Sequence, residues 1–276
     1  MEELRSSLIP YAYNITGSWE ESKDIVHDVL LKFSQMDKDE IKNEKAYLVR
    51  MVVNLSIDHK RKQKKRLSDY PGNWLPEPVA TDDPHTTVYR KEILSYTVMV
   101  LLEKLDPKQR AVFILKEAFD YDHADIARVL GLSIENSRKI LNRAKNELRL
   151  DRVSKSTEKQ GEMLRRFLSV LESGDMAELE RLLHEQVNVV SDGGGKVPAF
   201  RNIIRGAKSV GALLAGLYKK TFMHVDSEIT WINHQPAILL HYENTLVTCQ
   251  IFSIDGDLVD HVFIIRNPDK LAVIEK

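Results

Sequence analysis

Cysteine is almost absent: the 276 residues carry one, Cys249. A single thiol excludes a disulfide framework and a cysteine-rich metal site within the chain. Its apolar neighbours make a buried, inert thiol the expectation. Excess charge is also missing. Forty Lys and Arg residues face 41 Asp and Glu, for a net charge of −1, so there is no global basic field and any nucleic-acid binding must rest on local patches. Long apolar runs are lacking, and none approaches the roughly 20 residues of a membrane span. The opening MEELRSSLIPYAYNITGSWEE has no basic start followed by an apolar core, so no signal peptide is expected. A cytoplasmic protein without a membrane partner follows as the expectation. What is present is 43% hydrophobic and 29% charged residues, ample for about two or three globular cores.

The stretch from Asp122 to Leu150 reads DHADIARVLGLSIENSRKILNRAKNELRL. Asp122 is placed to cap a helix with Asp125 in its first turn. Ile126, Ala127 and Leu130 form its apolar side. Gly131 supplies a turn, and Ser133 caps a second helix. On that helix Ser137, Ile140, Leu141, Ala144 and Leu148 share one face at helical spacing. Glu135, Arg138, Lys139 and Asn142 share the opposite face. Those four are side chains that read base edges, while Arg143, Lys145 and Arg149 suit phosphates. The pattern fits an ordinary helical hairpin, or a helix-turn-helix whose second helix enters the DNA major groove.

The longer segment LEKLDPKQRAVFILKEAFDYDHADIARVLGLSIENSRKILNRAKNELR resembles region 4, the −35-binding domain, of a bacterial sigma factor of the extracytoplasmic-function type. Leu105, Pro107, Arg110 and Leu115 stand in the expected places, as does the Arg143-Ala144-Lys145 step. The resemblance implies −35 recognition by Glu135, Arg138, Lys139, Asn142 and Arg143.

The N-terminal part agrees with that resemblance. Residues from about Glu2 to Arg66 read as helical, with a break at Gly17-Ser18 and a cap from Ser18 or Ser22. Ile25, Val26, Val29, Leu30 and Phe33 make a buried stripe, with Asp24, Asp28 and Leu31 toward the other side. ESKDIVHDVLLKF is similar to region 2.2, the helix that docks on core RNA polymerase. This implies polymerase binding by Asp24, His27, Asp28 and Leu31, with His27 where the family usually has Gln. In the next helix Leu48, Met51, Val52 and Leu55 are the expected core. Tyr47, Arg50, Asn54, Asp58 and Arg61 lie opposite, and a basic run KRKQKKR follows from Lys60 to Arg66. Such runs are often solvated faces; basic groups also neutralise phosphate while aromatic and amide groups engage unpaired bases. YLVRMVVNLSIDHKRK resembles regions 2.3 and 2.4. That assigns −10 recognition to Tyr47, Arg50, Asn54, Lys60, Arg61 and Lys62, with Tyr47 where the family often has Trp.

A proline-rich segment, SDYPGNWLPEPVATDDPHTTVY, connects the two helical parts. Pro71, Gly72, Pro76, Pro78 and Pro84 exclude regular helix, yet Trp74 and Leu75 are more than a solvated linker needs. WLPEP (Trp74, Leu75, Pro76, Glu77, Pro78) resembles a motif of one sigma-factor group, the group with an added C-terminal domain. This implies a conformational latch. After a polar connector, helices are expected around Met163–Leu171, Met176–His184 and Ala207–Lys220. A short apolar run, Val187–Val190, leads into Asp192-Gly193-Gly194-Gly195-Lys196. Strands are expected over His224–Ile232, Ala237–Tyr242, Leu246–Ile254 and Leu258–Ile265, with turns at Asn233–Pro236 and Asp255-Gly256. The order resembles the SnoaL-like cone, an α+β fold. DGGGK and the late RNPDKL match the same sigma-factor group. The glycines permit a close backbone approach or an anion-binding nest. P-loop spacing is absent, and no cofactor is expected.

The resulting expectation is a multidomain chain: two all-α sigma domains, the second a helix-turn-helix, followed by an α+β SnoaL-like cone. The boundaries are 1–66 for region 2, 67–92 for the linker, 93–150 for region 4 and 151–276 for the regulatory domain. Core RNA polymerase and promoter DNA are the expected partners, with an unknown small ligand or protein at the C-terminal domain. The third domain would autoregulate by contacting the linker and the DNA-binding domains, and the resemblance implies that it replaces a separate anti-sigma protein. Two readings compete. One is a ligand-responsive helix-turn-helix regulator acting without polymerase. The other is a SnoaL-like enzyme fused to a DNA-binding module, with His224, His234, His241, His261 and Asp260 as acid/base candidates. The first reading needs no catalytic residue.

Overall fold

The computed structural model describes residues 2–39, 41–81, 91–148, 158–220 and 225–274. They fall into two compact units. The first comprises Met1–Ser68, Pro84–Leu94 and Val98–Arg152; the second comprises Asp69–Asp83, Ser95–Thr97 and Val153–Lys276.

The first unit is helical: α1 (Glu2–Thr16), α2 (Trp19–Ser34), α3 (Glu44–Arg66), α5 (Pro107–Glu117), α6 (His123–Leu130) and α7 (Ile134–Leu148), with α4 (Tyr96–Leu101) beginning in the second unit. Helix starts follow their caps. The Ser18 hydroxyl accepts from the Glu21 amide at 3.2 Å, and Asn43 accepts from Ala46 at 3.0 Å. Asp106 and Gln109 form a capping box with Pro107 in the first turn. Asp122 accepts from the Asp125 amide at 2.7 Å. Gly131, at φ 61° and ψ 47°, closes α6 in the left-handed conformation that lets α7 begin three residues later.

The stripe Ile25, Val26, Val29 and Phe33 is buried as expected, with Leu30 partly so. In α3 the buried face is Leu48, Val49, Val52, Val53, Ser56, Ile57 and Lys60. Met51 and Leu55 are only half-buried, so the core stripe is rotated from its expected position. Helical spacing explains Lys60: it follows Val53 by seven residues and Ile57 by three, on the same face. This corrects its expected place on a DNA-facing surface. Its side chain is 1% exposed. The Nζ donates to the Thr16 carbonyl at 2.8 Å and pairs with Glu103 at 2.8 Å. Arg110, equally buried, pairs with the other oxygen of Glu103, and its Nε donates to the Asn14 carbonyl at 2.8 Å. One carboxylate thus joins α3 to α5.

Burial pushes Lys60 down to about 7, with Glu103 opposing and Arg110 reinforcing the shift. For Glu103, burial favours the neutral acid, but Arg110 and Lys60 outweigh it and hold the carboxyl below its ordinary range.

In the second unit the order is α8 (Glu158–Ser173), α9 (Met176–Arg181), β1 (Leu183–Asp192), β2 (Ile204–Arg205), α10 (Ala207–Lys220), β3 (Asp226–Ile232), β4 (Gln235–Tyr242), β5 (Thr245–Asp255), β6 (Leu258–Ile265) and α11 (Pro268–Leu271). The sheet order is β2-β1-β6-β5-β4-β3. Only β1 and β6 run parallel; the other neighbours are antiparallel. Phe167, Leu171, Leu214, Ile238, Phe252 and Val262 belong to the core between helices and sheet. This is the expected α+β arrangement. Its differences are local. α9 stops at Arg181, and His184 belongs to β1. The β3–β4 turn is Asn233-His234, at φ 47° and 59°, and Pro236 lies in β4 opposite Trp231. The two-residue β2 is too short for a periodicity to reveal. Cys249 is fully buried, and burial pushes its thiol up.

Two outcomes follow from the Lys60–Glu103–Arg110 cluster. Glu103→Ala removes the carboxylate that balances buried Arg110 and Lys60 and should cost about 3–5 kcal/mol in denaturant unfolding. Because the folded pKa of Lys60 is about 7, the folded chain binds fewer protons than the unfolded chain from there up to the ordinary lysine value. Its contribution to stability therefore grows as pH rises through that window. Wild type should gain on Lys60→Met in unfolding measured at pH 9 against pH 7; an unchanged gap would mean that Lys60 does not titrate there.

Candidate nucleic-acid interface and linker site

On α7 the faces divide as the spacing requires. Ser137, Leu141, Ala144 and Leu148 are buried, while Glu135, Arg138, Lys139, Asn142 and Arg143 are exposed. The His123 ring and the Ser137 hydroxyl sit 2.9 Å apart and tie α6 to α7. Burial and then Arg138 hold that imidazole below its ordinary pKa. Lys139 pairs with Glu135 at 2.6 Å, and Lys145 with Glu117 at 2.7 Å. Such exposed pairs are worth little and exchange readily for phosphate. Arg149 lies outside the described residues.

On α2, Asp24, His27, Asp28 and Leu31 are exposed together. Leu31 is half-exposed, unusual for a large apolar side chain. On α3, Tyr47 is half-buried, with its ring 6.1 Å from that of Phe33. Arg50, Asn54, Arg61 and Lys62 are exposed. Tyr47 and Arg50 line a cleft of about 530 Å³ whose far wall is Tyr121, Asp125, Arg128 and Val129. The Asn54 amide donates to the Val129 carbonyl at 3.2 Å. The part of α3 that carries Tyr47, Arg50 and Asn54 is therefore turned toward α6.

The linker is not a solvated tether. Leu75, Pro76, Pro78 and Val79 are buried within the second unit, and Trp74 and Glu77 are half-buried. The anchor is Asp192, 1% exposed at the end of β1. Four donors converge on its carboxylate: the Tyr70 hydroxyl at 2.6 Å, the Gly194 amide at 2.9 Å, the Leu75 amide at 2.9 Å and the Lys270 ammonium at 2.6 Å. Lys270 also donates to the Leu75 carbonyl and lies 4.3 Å from the centroid of the Trp74 ring. Burial, then the hydrogen bond to Asp192, raises the Tyr70 pKa.

Two further attachments follow along the linker. The Tyr96 hydroxyl donates to the Pro76 carbonyl at 2.7 Å, and its ring packs on Phe263 at 5.3 Å. The backbone of Val79 and Thr81 then pairs with the end of β3. Val79 donates to the Asn233 side chain at 3.0 Å, Asn233 donates to the Val79 carbonyl at 2.8 Å, and Thr81 donates to the Trp231 carbonyl at 2.8 Å. Since β3 is the sheet's edge, the linker acts there as an added strand segment.

The glycines serve a close approach. Gly195, at φ 70°, lies against Pro71, where a Cβ would collide with the proline ring. The Gly194 amide points to a carboxylate of the chain itself rather than to a free anion. Lys196 turns away and pairs with Asp269 at 2.6 Å. WLPEP, DGGGK and RNPDKL thus meet at one place. Tyr70, Asn233, Thr81 and Tyr96 are contributors without a sequence signal. Lys270 had one, in RNPDKL, but nothing that marked it as the counter-ion.

Among the described residues the candidate histidines do not converge. His261 lies 3.1 Å from its neighbour Asp260, His234 sits in the β3–β4 turn and His241 is near the end of β4. His224 lies outside the described residues. Among the described residues no group of three or more His, Cys, Asp or Glu could hold a metal ion, and no helix is long and apolar enough to cross a membrane.

A helix-turn-helix with an exposed basic reading face, preceded by a three-helix body and joined by a docked linker, defines a multidomain DNA-binding transcription factor. Residues 1–66 match Sigma-70 region 2, and residues 96–148 match Sigma-70 region 4. The ECF RNA polymerase sigma factor SigJ of Mycobacterium tuberculosis is 32% identical over 226 residues, covering 79% of this chain and 72% of that protein. The probable ECF RNA polymerase sigma factor SigI of the same organism is 22% identical over 275 residues, 97% and 92% of the two chains. The crystal structure of M. tuberculosis SigJ superposes with a TM-score of 0.81 at 27% identity, over 99% of this chain and 97% of that one. The chain belongs to the extracytoplasmic-function sigma factors. That family comprises transcription initiation factors, not enzymes, and its members act with core RNA polymerase and promoter DNA.

The anchor makes a direct prediction. Asp192→Asn keeps the shape but leaves the Lys270 ammonium without its counter-charge. Hydrogen exchange at the Leu75 amide should accelerate, and Val79 should follow if the linker releases as one segment. Unaltered exchange at both would mean that the ion pair does not hold the linker.

Proposed function

We propose that this sigma factor is held in check by its own C-terminal unit, which grips the linker between regions 2 and 4. The observation that carries this reading is the buried Asp192–Lys270 pair closed around the backbone of Leu75. A linker bound along 70–81 cannot extend freely, so the separation available to regions 2 and 4 on a promoter is restricted. The domains are region 2 over 1–66, the linker over 67–92, region 4 over 93–150 and the regulatory domain over 151–276.

Within this reading, Asp24, His27, Asp28 and Leu31 dock on core polymerase in the cytoplasm. Tyr47 offers a stacking surface to an unpaired −10 base, with Arg50, Asn54, Arg61 and Lys62 on the adjacent backbone and base edges. Lys60 is left out because its ammonium is committed to Glu103. Glu135, Arg138, Lys139, Asn142 and Arg143 read the −35 element from the major groove. Asn54 and Tyr47 face α6 across the cleft, so the −10 surface becomes available only when region 4 moves away from α3. In this reading the C-terminal unit acts by contact and not by turnover; the described His234, His241 and His261 lie on separate elements.

Run-off transcription with purified core RNA polymerase on a promoter pool tests each part. The full chain should give promoter-specific transcripts. Asp24→Lys with Asp28→Lys should abolish them while DNA binding by α7 persists. Arg138→Ala should cost about 1–3 kcal/mol in −35 discrimination. Lys270→Met, which frees the linker without touching regions 2 or 4, should change transcript yield; an unchanged yield alongside faster Leu75 exchange would overturn control through the linker.

A further inference from the structure

A second feature of the C-terminal unit is used neither by the linker nor by the core. A cavity of about 250 Å³ lies between α10 and the helical side of the sheet, walled by Phe200, Leu217, Leu240, Val247 and Ile264. Four polar side chains interrupt this apolar lining: Ser191, whose hydroxyl accepts from the Phe200 amide at 2.8 Å, Thr248, Gln250 and Arg266.

Gln250 is the informative one. It stands in the ladder directly between Ile238 and Ile264. Both isoleucines belong to the core facing the helices, so the glutamine side chain lies on that inner face. It is 4% exposed, and among the described residues its amide has no hydrogen-bond partner. Its amide atoms are not among the sealed, unpartnered polar atoms of the structure, so they open on the cavity, where a leucine would simply continue the apolar row. Arg266 sits half-buried where β6 ends. Its Nη1 donates to the Pro198 carbonyl at 2.7 Å, which orients the guanidinium, and it makes no ion pair among the described residues. A guanidinium without a counter-charge beside an apolar cavity favours a carboxylate.

We infer that this cavity binds a small apolar monocarboxylic acid. The carboxylate meets Arg266, the Gln250 amide supplies a second polar contact, and the hydrocarbon body fills the space between Leu217, Leu240 and Ile264. The volume lies just below the range of about 300–1,000 Å³ usual for small-molecule pockets, which limits the ligand to roughly the size of benzoate. Among the described residues no histidine lines the cavity, and the site is inferred to bind rather than transform. The inference does not rest on linker control: it concerns binding to this unit, measured directly, and either idea can fail without the other.

Calorimetric titration of the full-length chain with benzoate, cyclohexanecarboxylate and the neutral benzamide tests it. At least one of the two acids should bind saturably and more tightly than benzamide. Arg266→Gln should weaken acid binding about tenfold or more and leave benzamide unaffected, since only the charge-assisted contact is lost. Gln250→Leu should also weaken the acid about tenfold or more, while the thermal midpoint of the ligand-free chain stays level or rises. No saturable heat from either acid up to about 10 mM, or affinity that survives both substitutions, would overturn the assignment. A lowered midpoint in ligand-free Gln250→Leu would give the amide a structural role and overturn it as well.

Discussion

The second unit depends on one buried ion pair, Asp192 with Lys270. Two charges taken out of water are costly, and their attraction offsets this only when every remaining hydrogen-bonding site is filled. Here Tyr70, Gly194 and Leu75 fill the carboxylate, while the Leu75 carbonyl and the Trp74 ring face the ammonium. Two of those partners to the carboxylate, and both partners to the ammonium, come from the linker. The pair is therefore complete only when the linker is in place. The free-energy difference between a docked and an undocked linker is set by how well water replaces these groups.

The first unit repeats the theme with a different purpose. Glu103 balances Lys60 and Arg110, and the surrounding donors end on the carbonyls of Thr16 and Asn14, near the end of α1. Among the described residues, its hydrogen bonds and ion pairs run to α1, α3 and α5. It joins three helical segments into one body, whereas the Asp192 cluster binds a segment that sequence distance alone would leave loose. The same chemistry, a carboxylate with more than one buried donor, serves as a joint in one place and as a clasp in the other.

Much of this was legible in the residue order. Helices α2, α6 and α7 follow from apolar spacing and from caps at Ser18, Asp122 and Ser133, because local geometry decides them. The family resemblance, carried by ordered motifs in regions 2 and 4, is matched by the comparison with known sigma factors. The β3–β6 meander was readable from alternating apolar runs, though Asn233-His234, not Asn233–Pro236, makes its turn. Lys60 was misplaced because a run of basic residues reads as surface, while the buried face of a long helix can continue beneath it. For the clasp, the resemblance pointed to Leu75 in WLPEP and Asp192 in DGGGK, but the pairing of Asp192 with Lys270 around Leu75 was not readable. Leu75, Asp192 and Lys270 are 117 and 78 residues apart along the chain, and no periodicity links positions so distant. DGGGK suggested either a close approach or an anion nest; Gly195 against Pro71 and Gly194 on Asp192 favour the approach.

The docked linker also changes what counts as a separable piece of this chain. The body that folds around the Asp192 clasp is assembled from three stretches, with residues 69–83 and 95–97 lying far upstream of the rest. Cutting the chain after Leu148 would not simply subtract a regulator from an intact core. It would strip Leu75, Pro76, Pro78 and Val79 of the apolar surface that buries them and leave a proline-stiffened, greasy strap hanging between two helical bodies. Such a fragment is a new molecule with its own tendency to stick, and its behaviour would report on the bared strap as much as on the missing domain.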